Sequence, residues 1–241
     1  MKHGKQYRNA LAKYDITKKY EIAEACKLVK DLHYVKFDET VELSVSLKLE
    51  KNQTVRDTLV FPHQFTGEKK VLVFCKEDRV QEALDAGATY AGSTEYIDKV
   101  KGGWTEFDVA VATPDMMKDV GRLGMVLGRK GLMPNPKTGT VTADIAGAVA
   151  ELKKGRTEFR ADKGGVVHIP VGKISMSETD TAENVSAFLA ELARKKPADA
   201  KAGFVRSVSL SSTMGPGVWI DYRSEERRVG KECRSRWSPY H

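Results

Sequence analysis

Hydroxyl side chains recur at every second position near the end of the chain, at Ser207, Ser209, Ser211 and Thr213. Because alternate residues of a strand face the same side, this spacing predicts a strand face that carries a ladder of hydroxyls. The residues that follow, 213–217, contain two glycines that let a backbone turn approach a ligand closely. Hydroxyls and free amides hydrogen-bond well to phosphates and 2′-hydroxyls. On periodicity alone, an ordinary solvated face with a tight turn is the favoured interpretation.

A second patch with binding chemistry centres on Phe37, which follows Lys36 and precedes Thr40 and Glu42. An exposed aromatic ring beside a cation can pack on a nucleotide, and Glu42 can accept a hydrogen bond from a base edge or a 2′-hydroxyl. The alternative, which the pattern alone favours, makes Phe37 a hydrophobic staple between a helix and a strand. Later basic residues could form a phosphate-facing rim or be plain surface charges: Arg156, Arg160, Lys163, His168 and Lys173.

The segment 128–140 is rich in glycine, proline and cations, and it predicts a long, shaped loop between two regular elements. Proline removes a backbone donor and fixes its own φ, while glycine permits positive φ, so neither suits a helix interior or a central strand. Loops of this length are usually functional or disordered. The apolar Leu132 and Met133 indicate a loop that is pinned to another part of the protein, and its cations could meet RNA. Its central residues are Gly131, Leu132, Met133, Pro134, Asn135, Pro136 and Lys137.

Four motifs resemble the bacterial large-subunit ribosomal protein L-one family: residues 37–42, 131–137, 155–160 and 211–217, in the family's order. The resemblance runs over nearly the whole chain, up to about Asp221. It implies a non-catalytic protein that binds large-subunit rRNA at the mobile stalk beside the tRNA exit site and moves with the stalk as deacylated tRNA leaves. It further implies a monomer within the ribosome, without a cofactor, that can repress translation by binding its own mRNA.

The resemblance also changes the interpretation of the candidate residues. The 213–217 turn is similar to the family's rRNA-contacting motif, and Phe37 becomes an expected RNA contact. In the family, the 131–137 loop lies on an inserted domain away from the principal RNA contact, which implies a domain-contact role with its cations as secondary RNA candidates. The expected RNA-binding set is therefore Lys36, Phe37, Thr40, Glu42, Arg156, Arg160, Lys163, His168, Ser211, Thr213, Met214 and Gly215.

The charge of the chain is consistent with an anionic partner. A net charge of +7 over 241 residues favours binding to a phosphate backbone, although a solvated basic surface explains it equally well. Residues 223–241 resemble a translated sequencing adapter, so we interpret them as a non-native tail. The rival interpretation is an arginine-rich RNA-binding tail. Without the tail's +3 the body is about +4, so RNA binding must depend on local patches.

Neither a membrane segment nor a metal site is expected. The chain contains no run of 18 apolar residues, and its basic beginning lacks the apolar core of a signal peptide. Cys26, Cys75 and Cys233 show no metal-binding spacing, and the first two lie among apolar positions typical of buried residues. A reducing cytoplasm fits this cysteine usage.

Hydrophobic periodicity predicts two kinds of sheet. Residues 41–49 alternate apolar and polar side chains, which is typical of a strand with one buried and one solvated face, and 56–61 is a plausible partner strand. Residues 71–75 and 107–112 are continuous apolar runs, typical of strands covered on both faces. Helices are predicted at about 5–14, 20–33 and 145–152 and around Tyr96, and a further helix is expected after a capping box at Ser177-x-x-Asp180.

These elements predict a fold that mixes α/β and α+β classes in two domains. A split α+β RNA-binding domain, residues 1–66 plus 155–222, is interrupted by an inserted doubly wound α/β (Rossmann-like) domain at 67–154. Two chain crossings between the domains would permit hinge motion.

A nucleotide-dependent enzyme that uses the inserted domain is the alternative from another class. The sequence contains no phosphate-binding P-loop, no G-x-G-x-x-G after a strand and no G-x-S-x-G elbow. Asp108 and Asp115 could be imagined as metal ligands, but each has an ordinary structural explanation at the start of a strand or helix. No catalytic residue, cofactor or metal is therefore predicted.

Overall fold

The computed structural model describes residues 4–49, 54–67, 69–195 and 203–222. The proposed non-native tail, 223–241, lies outside the described residues. Packing divides the described residues into two compact units: those within 4–55, 61–65 and 159–222 form the first, and those within 56–60 and 66–158 form the second. The predicted domain boundaries at 66/67 and 154/155 remain a prediction, which limited proteolysis would test.

The described residues form both helices and strands. The helices are α1 (Lys5–Leu11), α2 (Ile22–Asp31), α3 (Val80–Asp85), α4 (Thr94–Lys101), α5 (Met117–Gly121), α6 (Gly124–Arg129), α7 (Ile145–Lys153) and α8 (Glu178–Arg194). The strands are β1 (Lys19–Tyr20), β2 (Thr40–Leu47), β3 (Arg56–Leu59), β4 (Val71–Phe74), β5 (Tyr90–Gly92), β6 (Val109–Ala112), β7 (Thr157–Arg160), β8 (Val166–Lys173), β9 (Val205–Ser212) and β10 (Val218–Ile220). Short 3₁₀ turns cover Glu77–Arg79, Pro114–Met116 and Pro136–Thr138.

The first unit contains a five-stranded sheet in the order β1-β10-β9-β2-β8. Strand β2 is antiparallel to both β8 and β9, and it confirms the predicted alternation because its apolar residues are buried. Helices α2 and α8 pack against this unit's sheet. In the core, the rings of Phe159 and Phe188 meet edge to face with their centroids 5.2 Å apart.

The predicted pairing of residues 56–61 with the alternating strand is wrong. Strand β3 forms within that segment, but it pairs with β7 in a separate two-stranded sheet. Both edges of β2 are already occupied by β8 and β9, whose apolar residues share its buried face. All four residues of β3 are half-buried, so its sequence carries no alternation that could specify a partner.

The predicted capping box at the start of α8 does not form. Ser177 lies at the N-cap position, but its hydroxyl lies 2.7 Å from the hydroxyl of Thr179 and makes no capping hydrogen bond. The carboxylate of Asp180 lies 4.0 Å from His63 Nδ1 and 3.5 Å from the Thr179 hydroxyl. Local hydroxyl bonding therefore takes the place of the reciprocal cap.

The second unit contains a three-stranded parallel sheet in the order β5-β4-β6. All four residues of β4 are buried, which confirms the strand covered on both faces. Leu72 and Phe74 belong to one apolar cluster, whereas Val71 and Val73 belong to another on the opposite side. Because the first strand is central and helices cover both faces, the unit is doubly wound, as predicted.

Within the described part of the chain, no helix is long and apolar enough to cross a membrane.

Candidate RNA-binding surface

The turn after β9 is fixed to the start of β2. The Thr213 amide donates to the Thr40 carbonyl at 3.1 Å, and the Thr213 hydroxyl accepts from the Thr40 amide at 3.2 Å. The same hydroxyl donates to the Thr40 carbonyl at 3.2 Å. A hydroxyl has one proton and two lone pairs, so one acceptor position of Thr213 is left for a ligand donor such as a 2′-hydroxyl.

The backbone of Met214 is held at both of its polar atoms. Its amide donates to Glu39 Oε1 at 2.8 Å, and its carbonyl accepts from the Tyr34 hydroxyl at 2.7 Å. Glu39 is only 1% exposed, and its other oxygen lies 2.6 Å from His33 Nδ1. The Met214 side chain is nevertheless 50% exposed. The turn therefore combines a rigid backbone with an apolar side chain that is available to a ligand.

Three residues of this support were missed from sequence: His33, Tyr34 and Glu39. Glu39 lies within the 37–42 motif but looks like one more surface acid there, because nothing local reveals its burial. Its partner Met214 is 175 positions away in the chain. One sequence signal could have found these residues. Residues 37–42 and 211–217 both resemble family motifs, which predicts that the two segments act together.

Phe37 precedes Glu39, the residue that binds the Met214 amide, by two positions, and it does not behave as a staple. Its side chain is 52% exposed, so the interpretation of Phe37 as a buried link between helix and strand is wrong. The next residue, Asp38, accepts from the backbone amide and the hydroxyl of Ser175 at 3.1 and 2.9 Å. These bonds hold the loop on the C-terminal side of the exposed ring. Lys36 is also exposed.

The hydroxyl ladder lies on the face of the five-stranded sheet opposite its buried core. Ser211 is in register with Glu42, Ser209 with Ser44 and Ser207 with Ser46. The intervening residues of β9, Val208, Leu210 and Ser212, are buried. Strand β9 ends at Ser212, so Thr213 belongs to the turn and is not a fourth rung of the strand.

His168 joins the same polar face from β8. It is in register with Ser44, and its Nδ1 lies 3.0 Å from the Ser44 hydroxyl. Arg160 and Lys163 are exposed at the end of β7 and in the connection to β8, respectively. The structure thus brings His168 together with the hydroxyl ladder, whereas Arg160 and Lys163 lie at the end of β7 and in the connection that follows it.

Arg156, in contrast, lies in the second unit and its guanidinium is already bound. Nε donates to the Thr58 hydroxyl at 2.9 Å, and another guanidinium nitrogen forms an ion pair with Glu151. Its backbone carbonyl accepts from Lys69 Nζ at 2.8 Å. These bonds brace a cleft of about 190 Å³ within the second unit.

The 131–137 loop is pinned, as the sequence predicts, to the second unit's own core. Leu132 and Met133 pack against the apolar cluster that contains Phe74, and Pro134 is buried. Gly131 has a φ of 70°, a conformation that side-chain-bearing residues rarely adopt. Asn135 closes the loop by accepting from Thr138 and Thr140. Pro136 begins a 3₁₀ turn, and the domain-contact role of the loop remains a prediction.

The cleft in the second unit lies at the wrong sheet edge for a doubly wound nucleotide site. Lys69 and Asp108, which precede β4 and β6, line it together with the 131–133 loop. In open α/β sheets, ligands bind at the carboxyl ends of the strands. The Asp108 carboxylate accepts a hydrogen bond from the Lys70 amide at 2.9 Å, and Asp115 forms an ion pair with Lys76. Both carboxylates considered as metal ligands therefore have protein partners.

The two described cysteines are structural. Both are buried and free, and burial raises the pKa of the Cys26 thiol to about 12. Burial also raises the pKa of Cys75. Since the thiolate is the reactive form, these cysteines are poor nucleophiles and metal ligands near neutral pH.

The fold and the surface define a two-unit protein in which a polar sheet face ends in a rigid turn. Among the described residues of the α/β unit, no arrangement of catalytic side chains is recognisable. The sequence profile of the ribosomal protein L1p/L10e family matches residues 28–216. The chain therefore belongs to the ribosomal protein L1p/L10e family.

Curated relatives are similar over almost their full length. The large ribosomal subunit protein uL1 of Treponema denticola is 74% identical over 226 residues, which cover 94% of this chain and 100% of that protein. The protein of the same name from Treponema pallidum (strain Nichols) is 66% identical with the same coverage. That from Borrelia hermsii is 56% identical over 221 residues, 92% of this chain and 99% of the relative.

Proposed function

We propose that this chain is a non-catalytic component of the large ribosomal subunit that binds structured rRNA at the mobile stalk. Family membership and the names of the relatives support a place in the large subunit. The observation that carries RNA binding is the 213–215 turn, because hydrogen bonds within the protein fix its backbone. Pre-ordered contacts lose less conformational entropy on binding, so they yield more net affinity.

Each part of the surface supplies a different contact to RNA. Thr213 offers a lone pair to a 2′-hydroxyl, and Met214 packs against a sugar or base. Phe37 supplies an exposed ring for a nucleotide, and Glu42 accepts from a base edge or a 2′-hydroxyl. Positions along the rim supply charge to phosphates without reading sequence. Lys36, Arg160 and Lys163 supply this charge, and His168 extends the rim with a polar imidazole ring.

Further roles follow from the family resemblance and form the finer part of the proposal. In the cytoplasmic ribosome, the second unit moves with the stalk and assists the release of deacylated tRNA from the exit site. The same RNA-binding surface recognises a matching structure in the protein's own mRNA and represses its translation. Mutual exclusion between the two RNAs is the testable consequence, because one surface cannot hold both.

A titration of the full chain tests the proposal. Two RNAs are compared at rising salt: a stalk-junction fragment of large-subunit rRNA and an unrelated folded RNA of equal length. We expect selective binding to the junction, weakened about tenfold by Thr213→Val and by Phe37→Ala, since each removes roughly one net contact. Thr94→Val, an exposed threonine of the second unit, is the matched control.

Equal and steeply salt-dependent binding to both RNAs would reject the proposal in favour of generic charge attraction. In that case the nucleotide-dependent enzyme becomes the next hypothesis. Thermal unfolding with saturating ATP or GTP then tests it, because a ligand that binds the native state raises Tm.

A further inference from the structure

The polar sheet face extends past the hydroxyl ladder to an exposed indole. Trp219 of β10 is in register with Ser209 of β9 on one side and with Lys19 of β1 on the other. Ser209 is in turn in register with Ser44. One row across the sheet therefore reads lysine, tryptophan, serine and serine on a single face.

Trp219 is fixed on the open face of the sheet, where it is 39% exposed. Its neighbours Val218 and Ile220 are buried on the opposite face, so the strand cannot rotate without exposing them. Most large apolar side chains of this unit's sheet are buried, so the exposed indole stands out. An aromatic ring on the open face of a sheet is the arrangement by which several RNA-binding folds stack unpaired bases.

A β-bulge brings a cation to the same face. Leu47 is in register with Val205 and Ser46 with Ser207, so Arg206 is an extra residue in β9. In a bulge of this kind, the two consecutive residues of the bulged strand point to similar sides, and the extra one is re-aimed. Arg206 is exposed next to Ser207. The irregularity thus places a guanidinium near the indole.

A groove of about 280 Å³ runs along this end of the sheet. Its lining includes two cations, two hydroxyls and two aromatic rings, against one carboxylate. That composition suits an anionic ligand with flat, apolar parts. The lining residues used here are Lys19, Arg206, Ser207, Trp219, Asp221 and Tyr222.

We propose that Trp219, Arg206 and Lys19 form a stacking site for an unpaired stretch of the RNA bound at the 213–215 turn. This inference depends on the proposed RNA-binding function. Three observations favour RNA: the positive charge, the indole on an open sheet face, and the hydroxyls that continue from the turn to the groove. At about 3.4 Å per residue, the path from Thr213 to Ser207 is roughly 20 Å, a length that several nucleotides can follow.

The test compares two RNA probes with the full chain. One is the stalk-junction fragment, and the other is the same fragment with ten unpaired uridines added to each end. Trp219→Leu keeps apolar volume but removes the aromatic face, whereas Trp219→Phe retains a ring. We expect the Leu variant to bind the extended RNA roughly 5- to 100-fold more weakly, as loss of one stacked base implies. The Phe variant stays within about threefold of the parent, and Arg206→Gln lowers the slope of log affinity against log salt by about one.

Two controls make the result specific. Met125→Ala removes a side chain that is 80% exposed in the second unit, and it should leave both affinities unchanged. Thr213→Val should weaken the binding of both RNAs whether or not a base stacks on the indole, so it tests the proposed function separately. Parent-like binding of both RNAs by Trp219→Leu overturns the stacking site, even if Thr213→Val remains defective. If that variant binds RNA normally but fails to enter large subunits, the face binds a protein and the stacking site is likewise rejected.

Discussion

The two main sheets of this molecule are built from similar apolar residues but leave different surfaces. In the five-stranded sheet, β2 buries Val41, Leu43, Val45 and Leu47 and leaves a partly exposed face with serines and a glutamate. In the three-stranded sheet, all four residues of β4 are buried between two apolar clusters. A sheet covered on one side can present binding groups in a fixed register. A sheet covered on both sides has no such face and serves as a scaffold for its loops.

The largest expected effect comes from changing polarity in the covered sheet. Val73→Ser buries a hydroxyl without a designed partner and removes apolar contacts, so we expect a loss of about 3 kcal/mol in the free energy of unfolding. The reciprocal change, Ser209→Val on the partly exposed face, should alter stability by no more than about 0.5 kcal/mol. Denaturant unfolding of both variants measures the difference. Similar losses from the two changes would remove the distinction between the sheets.

The next effect concerns the hydrogen bonds that support the proposed RNA-binding turn. Glu39→Ala deprives the Met214 amide and His33 of their buried acceptor, and loss of these bonds should cost about 2 kcal/mol of stability. Because the turn also loses its fixed geometry, affinity for the junction fragment should fall at least about tenfold. Glu39→Gln is the control, since its amide oxygen can still accept from Met214. Undiminished RNA affinity in a folded Glu39→Ala protein would show that pre-ordering of the turn is unimportant.

A smaller effect is expected from changing one arginine in each unit and comparing the salt dependence of RNA binding. Arg160 is exposed in the first unit, whereas Arg156 binds Thr58 and Glu151 in the second. Arg160→Gln should reduce the salt slope of RNA binding by about one, as expected for one lost phosphate contact. Arg156→Gln should leave that slope unchanged and lower stability by about 1 kcal/mol. A reduced slope for Arg156→Gln would show that Arg156 contacts phosphate, as the sequence predicts.

The smallest effect is a pH dependence within the first unit. The hydrogen bond from His63 to Glu183, 2.7 Å long, raises the pKa of His63 above its ordinary value. A raised histidine pKa contributes stability that is fully present below the unfolded-state pKa and is lost as pH rises through the folded-state pKa. Glu183→Gln should therefore lower Tm more at pH 5.5 than at pH 8.5. A Tm difference that does not depend on pH would mean that the ion pair between His63 and Glu183 adds no stability.

Elements with a clear period could be predicted from sequence. The alternation of β2 and the continuous apolar run of β4 each encode burial directly, so both strands and their environments are confirmed. The pairing of β3 could not be predicted, because a strand without alternation does not specify which face or neighbour it takes. Likewise, the capping box at Ser177 depended on a local pattern that a competing hydroxyl overrides.

The candidate site was only partly visible for a similar reason. Phe37 and the 213–215 turn stand out through residue type and motif, but Glu39 becomes significant only when the fold brings it to Met214. Arg206 required knowledge of the register, since a bulge cannot be read from the sequence of one strand. Long-range hydrogen bonds and register are properties of the folded chain, and single-sequence patterns carry little information about them.

Oxidative footprinting of methionines tests the central claim most directly. Met214 in the proposed RNA-binding turn is 50% exposed, and Met125 in the second unit is 80% exposed, so both should react in the free protein. Mass spectrometry of the full chain, with and without the stalk-junction fragment, measures their oxidation rates. The account predicts strong protection of Met214 and an unchanged rate for Met125. Protection of Met125 with Met214 still reactive would contradict it, because the RNA would then bind the second unit.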